Sequence, residues 1–236
     1  MDPSNLHSVR ELTELREQVL LMGARVESMV QASVRALIER DVGIAARTVA
    51  QDAHVNRLEM IVDEQCLRVL ALRKPVATDL RFVAAVMKLV THLERMADMA
   101  KNVCRRIVEL DTVPGVRVNA ALSRLAQAAL RLAEEALDAF TQNDAVRARS
   151  VIGRDRYVDA CYAQCFPELM GIVAIDAAQI GTAVRLEDIA KAFERIGDQA
   201  TNIAEMVVFI VEGNDVRHID VVDPGDNVVM LRPRRL

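Results

Sequence analysis

Apolar residues recur at Leu12, Leu15, Val19, Met22, Val26 and Met29, with polar residues filling the intervals. Steps of three and four hold those side chains on one face of an α-helix, so the spacing predicts a first amphipathic helix from about Ser8 to Arg40. Asp41 reads as the N-cap of a second helix, with Gly43 at the corner. The second stripe is Val55, Leu58, Val62, Cys66 and Val69, and the helix runs to about Leu72. Lys74-Pro75 stops it, because the residue before a proline is pushed out of the helical region. Thr78 or Asp79 is expected to cap a third helix, whose long stripe is Phe82, Val86, Leu89, Leu93, Met96, Ala100, Val103, Ile107 and Leu110. Val113-Pro114-Gly115 ends it and marks the best boundary in the chain.

The plan then repeats. A fourth helix is expected over about Val118–Phe140, a turn at Gln142-Asn143-Asp144, and a fifth helix over about Ala145–Leu169 with a break near Gly171. The sixth covers about Ala177–Val211, with Ile189, Phe193, Ile196, Ala200, Ile203, Val207 and Ile210 on one face and Gly213 as the C-cap. The copying is explicit in Leu93-Glu-Arg-Met-Ala-Asp-Met-Ala-Lys-Asn-Val103, which returns one hundred positions later as Phe193-Glu-Arg-Ile-Gly-Asp-Gln-Ala-Thr-Asn-Ile203. The expected fold is therefore all-α: two tandem three-helix bundles related by an internal repeat, over residues 1–115 and 116–215. Residues 216–236, with Pro, Gly and Asp but no sustained period, read as a loose, flexible C-terminal tail.

Composition agrees with helices. The 236 residues include no Trp, two Tyr and five Phe, and the core must come from Leu, Ala, Val and Met, a set that suits helices because unbranched chains and Ala lose little entropy there. A net charge of −4 gives no basic field to draw the chain to nucleic acid, and Arg232-Pro-Arg-Arg reads as a solubilising tail. No uninterrupted apolar run nears the roughly 18 residues of a membrane span. Met1-Asp-Pro-Ser-Asn does not read as a signal peptide, and four scattered cysteines make no disulfide framework, so a cytoplasmic setting is expected.

The chemistry worth weighing lies in the repeated carboxylates. Glu94, Asp98 and Asn102 follow at four-residue steps along one helical face, as do Glu194, Asp198 and Asn202. That face lies almost opposite the main apolar stripe, which by itself describes a solvated surface. Yet the same residue types recur at the same places. Aligning Val55 with Val158 also matches Asp52 with Asp155 and Asn56 with Asp159, and Glu59 and Asp63 extend the first row by a turn. Side by side, these rows would gather Asp52, Asn56, Glu94 and Asp98 in one half, and Asp155, Asp159, Glu194 and Asp198 in the other. Crowded carboxylates repel, and a bound cation, protonation or pairing with Arg95 and Arg195 would relieve them. Oxygen ligands favour hard cations such as Mg²⁺, Ca²⁺ or Mn²⁺, with iron possible.

Other chemistries find little support. A ferritin-like di-metal site needs Glu-x-x-His, and the residues three before His7, His54, His92 and His218 are Ser4, Gln51, Leu89 and Asp215. Cys161-x-x-x-Cys165 lacks a second pair and reads as core thiols. There is no phosphate-cradling glycine loop, no Gly-x-Ser-x-Gly, and no nucleophile with an adjacent base, so nothing argues for an enzyme. Two other readings stand beside a binding role: a structural adaptor with solvated acidic faces, and a carboxylate-based metal-dependent hydrolase.

With the repeats laid out, the chain resembles the PhoU family, the phosphate-specific transport system accessory proteins. The resemblance covers almost all of residues 8 to 218 and is carried by several segments. These are Leu12-Thr-Glu-Leu-Arg with Met22-Gly23; Asp52 through Glu59; Pro75-Val-Ala-Thr-Asp-Leu-Arg-Phe82; Leu93 through Asp98; Phe193 through Glu205; and Gly213-Asn-Asp-Val-Arg-His218. It implies a cytoplasmic homodimer of three-helix repeats, reaching the membrane only through its partners. Those partners would be the ATPase subunit of a phosphate ABC transporter and a sensor histidine kinase, with the phosphate-starvation response kept off when phosphate is plentiful. It also implies bound metal (Mg, Mn, Fe or Zn) at Glu94, Asp98, Glu194 and Asp198, partnered by Asp52, Asp155 and Asp159 and more weakly by Asn102 and Asn202. Four departures stand out: Met96-Ala97 where the family has Ile-Gly, Asn56 where a second Asp is common, no proline before the sixth helix, and an Arg-rich tail beyond the family pattern.

Overall fold

A computed structural model of the chain describes residues 3–113, 118–217, 219–222 and 230–233. Its helices are α1 (Pro3–Glu39), α2 (Val42–Arg73), α3 (Ala77–Asp111), α4 (Ala120–Gln142), α5 (Ala145–Ile175) and α6 (Ile180–Glu212). A single 3₁₀ turn, Ala177–Gln179, leads into α6. The expected boundary at Val113-Pro114-Gly115 lies, beyond Val113, outside the described residues. The tail read as loose carries two short strands, β1 (Ile219–Val222) and β2 (Met230–Pro233), paired antiparallel with Ile219 opposite Pro233. Four residues per strand are too short for an alternation to stand out in the sequence.

The helix ends show how local chemistry sets the turns. Asp41 caps α2, its Oδ1 accepting from Ile44 N at 2.8 Å, and Asp144 caps α5 by accepting from Arg147 N at 2.9 Å. The residue before each cap, Arg40 and Asn143, is left-handed, so the α1–α2 and α4–α5 corners are copies of one turn. Neither Thr78 nor Asp79 caps α3. Lys74 and Ala77 both take φ of 48° around Pro75, the chain reverses there, and the helix begins at Ala77 with Val76 as an N-cap whose side chain makes no capping hydrogen bond. The fifth helix neither ends at Leu169 nor breaks at Gly171. It runs through Pro167 to Ile175, because Leu169, Ile172 and Val173 carry its apolar stripe onward against the core.

The two halves share one continuous core. α3 packs against α1 and α2 of its own half and α6 against α4 and α5, while α3 and α6 pack on each other as extensively as either packs within its own half. That is why α3 buries more than its main stripe: Val83, Val90, Ala97 and Cys104 are covered as fully as Leu89 or Met96. The outer helices α2 and α5 each bury one narrow stripe and leave the rest exposed. By length and mean hydropathy, α5 alone among the described helices would reach across a bilayer. Its Val158, Cys161, Cys165 and Leu169 are nonetheless packed in the core, as in any buried helix face.

Candidate cation sites on the paired carboxylate rows

The rows do lie together. Val55 and Val158 are buried, so Asp52 and Asp155, one turn earlier, stand at the rims of the α2–α3 and α5–α6 seams. Glu94, Asp98, Glu194 and Asp198 are each partly buried there rather than fully solvated. The face opposite the main stripe of α3 is thus the rim of its contact with α2, a burial that one helix's period cannot reveal.

In the first half the seam contains its own cation. Lys101 Nζ lies 2.5 Å from Asp98 Oδ1 and 2.9 Å from Asp52 Oδ2. Its side chain is 13 % exposed and that of Asp52 16 %. Burial alone would lower the Lys101 pKa, but hydrogen bonds to Asp98 and Asp52, with their charges, raise it above its ordinary value. Asn102 Nδ2 donates to Asp98 Oδ2 at 3.4 Å and Asn56 Nδ2 reaches Asp52 Oδ2 at 3.5 Å. Further along, Glu94 is held above the usual carboxylate range by burial, then by Asp98 and Asp52. Glu59 is raised by burial, then by Glu94 and Asp63.

The second half differs at the decisive position, where Thr201 stands for Lys101. Thr201 Oγ1 is shielded from solvent and meets no hydrogen-bond partner among the described residues. Asp198 is pushed up to about 6 by burial, then by Glu194, Asp155 and Asp159, with Arg195 opposing. Glu194 is raised by burial and then by Asp159. Asp155 is half-buried, Asp159 exposed at the rim, and Asn202 half-buried at the end of the row. Where the first half has Glu59, the second has Tyr162, whose hydroxyl donates to Glu187 Oε1 at 2.8 Å.

Among the described residues, neither Arg95 nor Arg195 forms an ion pair with these carboxylates, so the relief expected of Arg95 is supplied by Lys101. Arg195 instead lines a concavity of about 520 Å³ between α3 and α6, with Asn102, Arg105, Arg106 and Lys191. Arg106 spans that concavity, pairing with Glu109 at 2.8 Å and Asp188 at 3.0 Å.

As metal ligands the two sets fit unequally. Among the described residues no three His, Cys, Asp or Glu side chains converge on one point as they stand. The second set has the oxygen donors and crowded negative charge that a hard cation neutralises. Between Asp52 and Asp98 the ammonium already fills that place. The periodic reading missed Lys101 because it compared the residues that recur; the clue was the one that did not, three positions after Asp98.

An all-α fold of duplicated three-helix units, with a carboxylate-lined seam in each, defines a class of duplicated helical-bundle proteins. Comparison with known proteins narrows it: the PhoU domain model matches twice, over residues 19–107 and 122–207, and the chain belongs to the PhoU family. It is 38 % identical over 219 residues to a phosphate-specific transport system accessory protein PhoU homolog of Pseudomonas aeruginosa, covering 92 % of this chain and 90 % of that one. The crystal structure of PhoU from Pseudomonas aeruginosa superposes with a TM-score of 0.83 at 36 % identity, over 87 % of this chain and 99 % of that chain. The phosphate transport system regulatory protein PhoU of Streptococcus pneumoniae gives a TM-score of 0.80 at 26 % identity, over 88 % and 98 %.

Proposed function

We propose that this protein is a non-enzymatic accessory and regulator of phosphate transport. It acts in the cytoplasm by contact with the transporter's ATPase subunit and with a sensor histidine kinase whose starvation response it holds off. The observation that carries the reading is the double PhoU match, one in each half of the chain. A surface suited to such contacts supports it. Leu67, Leu72 and Leu80 are exposed at the α2–α3 tip, and the repeat-equivalent Met170, Ile175 and Ile180 are exposed at the α5–α6 tip. Apolar side chains left in water at matching places in both halves are what partner contacts would cover.

Cation binding belongs to this reading as a tuning element. Asp155, Asp159, Glu194 and Asp198, with Asn202 beside them, would hold the metal. When bound, it would supply positive charge that draws α5 and α6 together at their rim. Deleting the gene is expected to raise phosphate-starvation transcripts in phosphate-rich medium, and unchanged transcripts would refute the regulatory role. A pull-down with purified ATPase subunit and kinase is expected to capture both, more weakly after Leu72→Ser or Ile175→Ser. Transcripts that rise without capture of either protein would leave the regulation and remove the contact mechanism.

A further inference from the structure

The concavity between α3 and α6 holds an excess of positive charge. Arg105 and Arg106 line it from α3, and Lys191 and Arg195 from α6, against two carboxylates, Glu109 and Asp188. Both carboxylates pair with the same residue: Arg106 lies 2.8 Å from Glu109 and 3.0 Å from Asp188. Arg105, Lys191 and Arg195 are exposed, and among the described residues none of the three forms an ion pair. Arg106 and Asp188 also line an adjoining hollow of about 320 Å³ with Arg185. Arg185 Nε is shielded from solvent there, has no hydrogen-bond partner among the described residues, and reaches Glu109 only at 3.5 Å.

The duplication supplies an internal comparison. On the related face of the α3–α6 contact, Gln199 and His92 stand for Met99 and Ala192, with His92 Nδ1 2.9 Å from Gln199 Oε1. There the positions of Arg105, Arg106 and Lys191 carry Glu205, Met206 and Thr91. Packing of the two helices therefore does not call for these cations, since the copy forms with an acid, a thioether and a hydroxyl in their places. The whole chain carries a net charge of −4, so the concavity is a local positive site on a molecule that repels anions.

We infer that this concavity binds a small anion bearing a chain of phosphoryl groups, contacted by Arg105, Lys191 and Arg195, with Arg106 held in place by Glu109 and Asp188. Guanidinium groups fork onto phosphate oxygens, and cations on two facing helices suit an anion whose charge is spread over several groups. A volume of about 520 Å³ is that of a small-molecule site. The bound anion would cross-link α3 to α6, the contact that joins the two halves. The inference goes beyond the proposed function and does not rest on it.

Titration of the full chain with sodium tripolyphosphate in the presence of a chelator, followed by calorimetry and by melting, tests this. One tripolyphosphate per chain is expected, bound about ten-fold or more weakly by Arg105→Gln/Lys191→Gln. Lys88→Gln/Arg95→Gln removes the same charge from the related face and should leave the affinity unchanged. Tripolyphosphate should raise the melting midpoint of wild type but not of Arg105→Gln/Lys191→Gln, whose midpoint without anion should match wild type because both side chains are exposed. Binding absent from wild type by both measurements, equal weakening in the two double variants, or citrate binding as tightly as tripolyphosphate would each overturn the inference. With the site upheld, ATP binding alongside tripolyphosphate would extend it to a nucleotide's phosphate tail, and exclusion of ATP would restrict it to the free chain.

Discussion

A Cβ placed on Gly197 would stand 2.9 Å from Val158 Cγ1, so α6 and α5 touch where glycine leaves no side chain between them. At the aligned positions of the first half stand Ala97 on α3 and Val55 on α2, both fully buried. The departure from Ile-Gly at Met96-Ala97 thus places a methyl group on α3 where α6 has none, at buried positions off the carboxylate row.

Gly197→Ala should accordingly destabilise the protein even though alanine is the better helix former. The clash is with a stiff β-branched side chain, and overpacking of this kind costs about 1–3 kcal/mol against about 1 kcal/mol gained in propensity. Urea denaturation is expected to show a net loss of about 1 kcal/mol. Val158→Ala in the same chain should restore part of it. A double variant no more stable than Gly197→Ala would show that some other contact sets the spacing.

Across the α1–α4 contact, Glu27 is held above the ordinary carboxylate range by burial, then by Glu134 and Asp138. Gln31 bridges the pair, its Nε2 donating to Glu134 at 3.0 Å and Glu27 at 3.3 Å. A raised acid binds its proton more tightly in the folded state, so its contribution favours folding at low pH and is lost as pH rises through the folded pKa. Glu27→Gln should raise the melting midpoint at pH 7 to 8, with the gain fading as pH falls toward the ordinary carboxylate range near 4.5. Equal gains at both ends of that range would show that ionisation of Glu27 is not the cause.

Removing either N-cap oxygen should loosen a helix corner. Asp41→Ala and Asp144→Ala each delete an acceptor for a backbone N–H, worth about 1 kcal/mol at a typical N-cap. Because the turns are copies, the two losses should be similar in chemical denaturation. A loss confined to one of them would mean that other contacts at the second corner replace the cap.

All four cysteines are buried, and burial first pushes the thiols of Cys66, Cys104 and Cys165 up to about 12. A thiol reagent at pH 8 should therefore label native protein slowly and release four equivalents only after unfolding. Rapid labelling of one cysteine in native protein would reveal local opening of its helix.

The sequence by itself determined the six helices, the duplication and the composition of the carboxylate rows, because helical period and caps are local and a copied segment is visible at a fixed offset. Val19, Met22, Leu89 and Ile196 were legible as core for the same reason. Only the tertiary structure decided that the face opposite the α3 stripe is the rim of a second interface, since a single helix's period cannot say how many neighbours it has. The same holds for Pro167, tolerated because the stripe beyond it still finds core to cover, and for Gly197, whose value depends on Val158 of another helix. It also decided what the repeated Glu94-Asp98-Asn102 row means in each copy. Charge neutralisation depends on which side chains meet across helices, and Lys101 reaches Asp52 from 49 positions away.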